Sequence, residues 1–237
     1  MANKIITKIL RKTERIYNKL LLAPIEVFVF HSVSDTYDPS SCLKQDWSST
    51  AAFQQKILEL KQQYTFISLP EATSRLQSEN LRRKHYAVLT SDDGFKTVLT
   101  VLPFLTEQNI PITLFLNPQY LDGTTIRPDY APQPQYLTHD DLAQITSPLV
   151  TIGMHGYQHL DCAAQTPSDF RQNVAACIDA LGSHPRYIPY FAYPWGNHTP
   201  STQQTLRDMR ITPVLCDGRS NHRYSDGISR RCIDTTR

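Results

Sequence analysis

The sequence predicts one α/β domain, an incomplete or distorted (β/α) barrel of about seven parallel strands. Short apolar runs rich in β-branched and aromatic residues alternate with segments of helical periodicity. That alternation is the pattern of a parallel sheet with helices packed outside it. Seven strand candidates in one domain suit a barrel better than an open sheet. Unusual polar residues also follow the strands one after another, as they do where loops at the carboxyl ends of barrel strands build a site.

The strand candidates, in order, are IEVFVF (25–30), YAVLT (86–90), ITLFLN (112–117), LVTIGM (149–154), IPYFAY (188–193), ITPVL (211–215) and ISRRCI (228–233). Between them, AAFQQKILELKQQY (51–64) sets Phe53, Ile57, Leu60 and Tyr64 on one helical stripe. FKTVLTVLPFLTEQN (95–109), LTHDDLAQI (137–145), SDFRQNVAACIDAL (168–181) and STQQTLRDM (201–209) behave likewise. Helix-start signals stand at Ser49 or Thr50, at Thr138, at Thr166 with Pro167 and at Thr199 with Pro200. The stretch 120–135 is rich in Pro, Gly and Asp without periodicity, and reads as a loop over the site.

With 237 residues, 40% hydrophobic, the chain can bury one sizeable core. A net charge of +2 and the lack of a Lys/Arg track argue against nucleic acid as a partner. The five cysteines are widely spaced, with no C-x-x-C pair. They read as reduced, mostly buried thiols, which favours a reducing, cytoplasmic compartment. Residues 1–24 read as a separate basic amphipathic helix ahead of a 25–237 domain. Ile5, Ile9, Ile16 and Leu20 fall near helical spacing amid Lys4, Lys8, Arg11, Lys12, Arg15 and Lys19. Charges interrupt it too often for a signal peptide or a membrane span. It either packs on the domain or lies on an anionic membrane surface as a peripheral contact.

The chemistry gathers at the strand ends. His31 follows the first strand; Asp92 and Asp93 follow the second; His155 follows the fourth, with His159 four residues on. Tyr193, Pro194, Trp195 and Gly196 follow the fifth, and Asp217 with Gly218 the sixth. Singly these are weak signals, since an Asp-Asp-Gly is often only a turn. Together one carboxylate and two imidazoles offer a nitrogen and oxygen ligand set with a position left open, suited to zinc or another divalent first-row metal. Gly156 would let the backbone bend so that both rings face one ion.

LTSDDGF resembles the T-F-D-D-G motif of the NodB-like polysaccharide deacetylase family, of the carbohydrate esterase family 4 type, with Ser91 in place of the aromatic residue. HGYQH (155–159) resembles its H-S/T-x-x-H motif, with Gly156 at the Ser/Thr position, and FAYPWG (191–196) its third motif. VFVFHSV (27–33) and NIPITLFL (109–116) resemble its opening strand and its I-P-A-T-x-F segment. The similarity runs from about residue 25 to residue 233.

That resemblance implies a metal-dependent hydrolase removing an N-acetyl group from an amino sugar in a glycan or glycan precursor. Asp93, His155 and His159 would hold the ion, most simply zinc, with cobalt or nickel as alternatives. Asp92 would be the base toward a metal-activated water. A backbone N–H near Tyr193 would stabilise the oxyanion. Tyr157, Tyr193 and Trp195, with Pro194 and Gly196, would line the sugar site. The third motif lacks the Arg that many members carry, and Arg230 is the candidate to orient the base. The Leu-x-His motif that supplies the general acid is absent, leaving His31 as first candidate and His198 or His222 next. Two other readings stay open: O-acetyl ester hydrolysis, which needs less leaving-group protonation, and a carbohydrate-binding barrel of little activity.

Overall fold

The computed structural model describes residues 23–35, 47–78, 84–128 and 135–233. The basic helix expected at 1–24 falls almost entirely on residues 1–22 and so lies outside the described residues, as does Cys42. No helix among the described residues is long and apolar enough to cross a membrane.

In chain order the strands are β1 (Ile25–Phe30), β2 (Ser32–Val33), β3 (Trp47–Ser48), β4 (Thr65–Phe66), β5 (Tyr86–Ser91), β6 (Ile112–Leu116), β7 (Val150–Met154), β8 (Tyr187–Ala192), β9 (Thr212–Leu215), β10 (Ile228–Ser229) and β11 (Arg231–Cys232). The α-helices are α1 (Thr50–Gln63), α2 (Leu69–Gln77), α3 (Leu102–Glu107), α4 (His139–Gln144), α5 (Pro167–Leu181) and α6 (Pro200–Asp208). The main sheet runs β10-β9-β8-β7-β6-β5-β1-β11, with β4 alongside the start of β5. Every pairing in it is parallel.

The seventh predicted strand is split at Arg230, and the split closes the wall. Its first half, β10, pairs with β9, while its second half, β11, pairs with β1 at the other end of the sheet. One five-residue segment thus spans the seam of a nearly closed barrel. The helix expected over 95–109 is also divided, into a 3₁₀ turn at Lys96–Thr100 and α3. Pro103 explains the break: inside a helix its ring would strike the carbonyl one turn earlier, so it sits in the first turn of a new one. The caps fall where the hydroxyls are. Ser49, Thr138, Thr166 and Thr199 each accept a hydrogen bond from a backbone N–H of their helix's first turn.

Strand side chains alternate between two apolar layers, as period-two geometry requires. Ile25, Val27, Val88, Phe115, Tyr190, Ala192, Val214 and Ile228 fill the barrel interior, joined by Leu69, Ala72 and Leu76 of α2. Phe28, Phe30, Leu89, Leu114, Leu116, Phe191 and Tyr193 point the other way, into the layer shared with Phe170, Val174 and Cys177 of α5. Continuing the interior parity of β5 through Val88 and Thr90 reaches Asp92, and continuing that of β10 from Ile228 reaches Arg230. Strand parity therefore aims those two groups at one another. Of the described cysteines, Cys162 and Cys177 are buried and Cys216 and Cys232 exposed, all as free thiols.

Candidate active site

Asp92 and Asp93 end β5 and divide at once. The Asp92 N–H donates to Phe30 O at 3.2 Å, still bonded to β1. Asp93 turns into the left-handed region at φ 69°, and Gly94 follows at φ 72°. Asp tolerates that region better than most side chains, and Gly does so freely. The Asp92 carboxylate stays inside the barrel, where Arg230 Nη1 and Nη2 donate to Oδ1 and Oδ2 at 2.6 and 2.8 Å. Arg230 also donates to Thr90 Oγ1 at 3.2 Å and to Leu215 O at 3.3 Å, and its guanidinium lies 5.2 Å from the Phe115 ring centre. It is 1% exposed. Burial alone would push the Asp92 carboxyl up. The charge and paired hydrogen bonds of Arg230 outweigh burial and hold it below the usual range.

The segment 155–159 after β7 is pinned from several sides. Asn117, at the end of β6, donates through Nδ2 to His155 O at 2.5 Å and to Gly156 O at 2.8 Å. Tyr157 N donates to Asn173 Oδ1 at 2.8 Å, and the Tyr120 hydroxyl to Gln158 O at 3.1 Å. Gly156 takes φ 77°, as the bend between the two histidines requires. His159 itself sits at φ 56°, a conformation sustained by this clamp.

The result is a convergence of ligand atoms. Asp93 Oδ1 lies 3.6 Å from His155 Nε2 and 3.1 Å from His159 Nε2, and one ligand atom from each residue falls within 4.8 Å of the others. Asp93 Oδ1 is buried and accepts no well-formed hydrogen bond from the described residues. His155 Nδ1 donates to Ala192 O at 2.9 Å, which leaves its Nε2 lone pair facing Asp93. Burial takes the His155 pKa down to about 4, so the ring is neutral at pH 7. One carboxylate and two imidazoles converging in a buried pocket fit a divalent cation with a position left for another ligand.

The polysaccharide deacetylase family profile matches residues 79–214, more than half of the chain. The chain belongs to the polysaccharide deacetylase family. This polysaccharide deacetylase shares its fold with IcaB from Ammonifex degensii, at TM-score 0.75 and 20% identity over 90% of this chain and 92% of the other. Streptococcus pyogenes deacetylase PplD, in complex with acetate, is similar at 0.73 and 17%, over 91% and 94% of the two chains. A de-N-acetylase from Aggregatibacter actinomycetemcomitans is similar at 0.68 and 19%, over 90% and 96%. No curated protein sequence matches the chain.

The deacetylase fold brings most of the expected residues to one rim and moves others away. Arg230, expected to orient the base, is the buried partner of Asp92. His31 is half-buried after β1, and its charge helps to lower the Asp92 carboxyl. Trp195 is 58% exposed, with its ring edge-on to His159 at 4.4 Å between centres, a wall beside the metal position. Tyr157 is partly buried against the core.

Three expectations need correction. Tyr193 is 1% exposed, with its ring packed against Phe170 and His198, so it offers no sugar-stacking surface. Its own N–H donates to Val214 O at 3.4 Å. Pro194 is likewise buried, while Gly196 turns the chain at φ 74° beneath Trp195 and accepts a hydrogen bond from His198 Nδ1 at 2.9 Å. His222 follows Asn221, which bridges Ile25 at the amino end of β1, so it sits at the far end of the barrel from the rim.

Two contributors were missed. Asn117 ends the third predicted strand and was open to the same strand-end rule that found Asp92. Arg127 comes from the loop read as a cover: Nη1 lies 3.1 Å from Asp93 Oδ1, and Nη2 is 2.6 Å from His159 Nδ1. With the two histidines and this arginine around it, the Asp93 carboxyl is held well below the usual range although burial opposes the shift.

Proposed function

We propose that the protein removes N-acetyl groups from amino-sugar residues of a glycan, with zinc held by Asp93, His155 and His159; cobalt and nickel suit the same donors. The observation that carries this reading is the buried Asp93–His155–His159 convergence beside an Asp92 whose plane Arg230 fixes. A divalent ion there supplies Lewis acidity, countering negative charge on the acetyl oxygen and favouring ionisation of water.

The protein's own groups do the rest. Asp92 is ionised across the neutral range, and its Oδ2 lies 3.9 Å from His155 Nε2, turned toward the metal position. We assign that oxygen to take the proton from the attacking water. Two paired hydrogen bonds keep it oriented while it does so. His31, on the same rim, is assigned to protonate the leaving amine. Trp195 gives an exposed ring on which a sugar face can rest. The fold's likeness to a de-N-acetylase supports the amide over the ester.

The test is acetate release from matched N-acetylated and O-acetylated glucosamine oligomers by the zinc-loaded protein, with Asp92→Asn beside it. Faster release from the N-acetyl substrate, abolished by the substitution, is expected. Release from the O-acetyl substrate alone would replace this reading with an esterase.

A further inference from the structure

Two thiols stand on the rim, one on each side of the barrel seam. Interior parity on β9 runs from Val214 to Cys216, and on the seam segment from Ile228 through Arg230 to Cys232. The alternate residues face outward: Leu215 and Ile233 pack in the outer layer, and Arg231 pairs with Glu26 of β1 at 3.0 Å. Cys216 and Cys232 therefore flank Arg230 on the side that carries Asp92. Both are exposed, and their sulfurs meet in a hydrogen bond donated by Cys216. Cys232 pairs in register with Val29, two residues before His31. The proposed deacetylation uses neither thiol.

We infer that Cys216 and Cys232 form a reversible disulfide across the seam, with a small peroxide as the oxidant. The order of events follows from what surrounds each sulfur. The hydrogen bond from Cys216 lowers the Cys232 thiol below the ordinary range, aided by the charges of His31 and Arg230 and opposed by burial and the Asp92 charge. A thiolate there attacks the peroxide: an S–O bond forms, the O–O bond breaks, and hydroxide leaves and takes up a proton to become water. Cys232, oxidised by two electrons, is then a sulfenic acid. The hydrogen bond to Cys232 is also the largest influence holding the proton on Cys216, and its strength rests on the thiolate that oxidation removes. Cys216 next attacks the Cys232 sulfur: the S–S bond forms, the S–O bond breaks, and hydroxide departs with the Cys216 proton as water. In sum, two thiols and one peroxide give one disulfide and two waters. The bond closes residues 216–232 into a ring and ties the end of β9 to β11 across the segment that carries Arg230. Cys162 and Cys177 lie in the apolar core with their thiols pushed up by burial, and take no part.

Neither thiol belongs to the metal set, so the test reads the same whichever reaction the site performs. The full chain, reduced and desalted, is exposed to one equivalent of hydrogen peroxide, its remaining thiols are blocked with N-ethylmaleimide, and its peptides are mapped. A cross-link between Cys216 and Cys232, reversed by dithiothreitol, is expected, with a melting temperature raised by roughly 5–10 °C in the oxidised chain. Dimedone present during oxidation should trap Cys232. Cys216→Ser, which keeps a hydrogen-bond donor, should raise that adduct and abolish the cross-link. A dominant link involving any other cysteine, Cys42 included, overturns the inference. So do dimedone on Cys216 ahead of Cys232, thiols that stay free throughout, and a cross-linked chain that melts no higher than the reduced one. Should Cys216→Ser not fold, the wild-type map and its dimedone label decide alone.

Discussion

Arg230 grips Asp92 end-on, with two hydrogen bonds of 2.6 and 2.8 Å between two buried residues far apart in sequence. The arginine belongs to the segment that closes the barrel between β9 and β1. Closure of the sheet and orientation of the proposed base are therefore one structural event.

Removing one member of this pair leaves the other charged and buried. Arg230→Met is expected to cost on the order of 3–5 kcal/mol of stability. Asp92→Asn in the same chain should recover a large part of that loss, because the stranded charge is then gone. Urea unfolding of the two single variants and the double variant measures the coupling; costs that simply add would mean the pair contributes nothing as a pair.

The pair also fixes a sign with pH. In wild type the Asp92 carboxyl is held below its unfolded value, so its stabilisation is complete above about pH 4 and is lost as pH falls through the lower, folded value. Without Arg230, burial dominates and the folded value rises above the unfolded one. Arg230→Met should then lose less stability relative to wild type at pH 5 than at pH 7. A gap between the two proteins that widens on acidification would contradict this.

Trp195 stands outside the buried machinery, so its loss should reach substrate binding and little else. Trp195→Ala is expected to raise KM for a glycan oligomer roughly tenfold, about 1.4 kcal/mol of uniform binding, with kcat within about twofold. The melting temperature should stay near that of wild type. A fall in kcat at unchanged KM would place the ring in the chemical step instead.

The exposed thiols differ in reactivity. A hydrogen bond from Cys216 lowers the Cys232 thiol below the ordinary range against its burial, helped by the charges of His31 and Arg230, while Cys216 is pushed up. Burial raises Cys162 to about 12 and Cys177 further. Brief iodoacetamide treatment at pH 7 should therefore label Cys232 first among the four, and Cys216→Ala should slow that labelling. Peptide mapping in which Cys216 leads would sink the ordering.

How far the sequence carries can be judged from these residues. Asp92, Asp93, His155 and His159 were legible because the chemistry sits at strand ends and strand ends are marked by composition. Strand parity was legible too, yet Tyr193 shows the cost of setting it aside. One residue on from Ala192, it points out to α5 with Phe191 and not into the site. The fold class and most strands follow from periodicity, whereas β4 and α2 were missed. Two residues are too few for a pattern, and α2 is short, with a Pro at its start. Nothing local marks Arg127. Its burial is set by what surrounds Asp93, a tertiary fact that a loop rich in Pro and Gly does not spell out.

The central claim is a metal-dependent deacetylase site built on Asp93, His155 and His159. Elemental analysis of wild type and His155→Ala, with acetate release from N-acetylated glucosamine oligomers measured on the same samples, tests it most directly. The account predicts close to one equivalent of zinc, cobalt or nickel in wild type, lost together with acetate release in the variant. Acetate release by wild type that persists at full rate in a metal-free sample, or in His155→Ala, would contradict it.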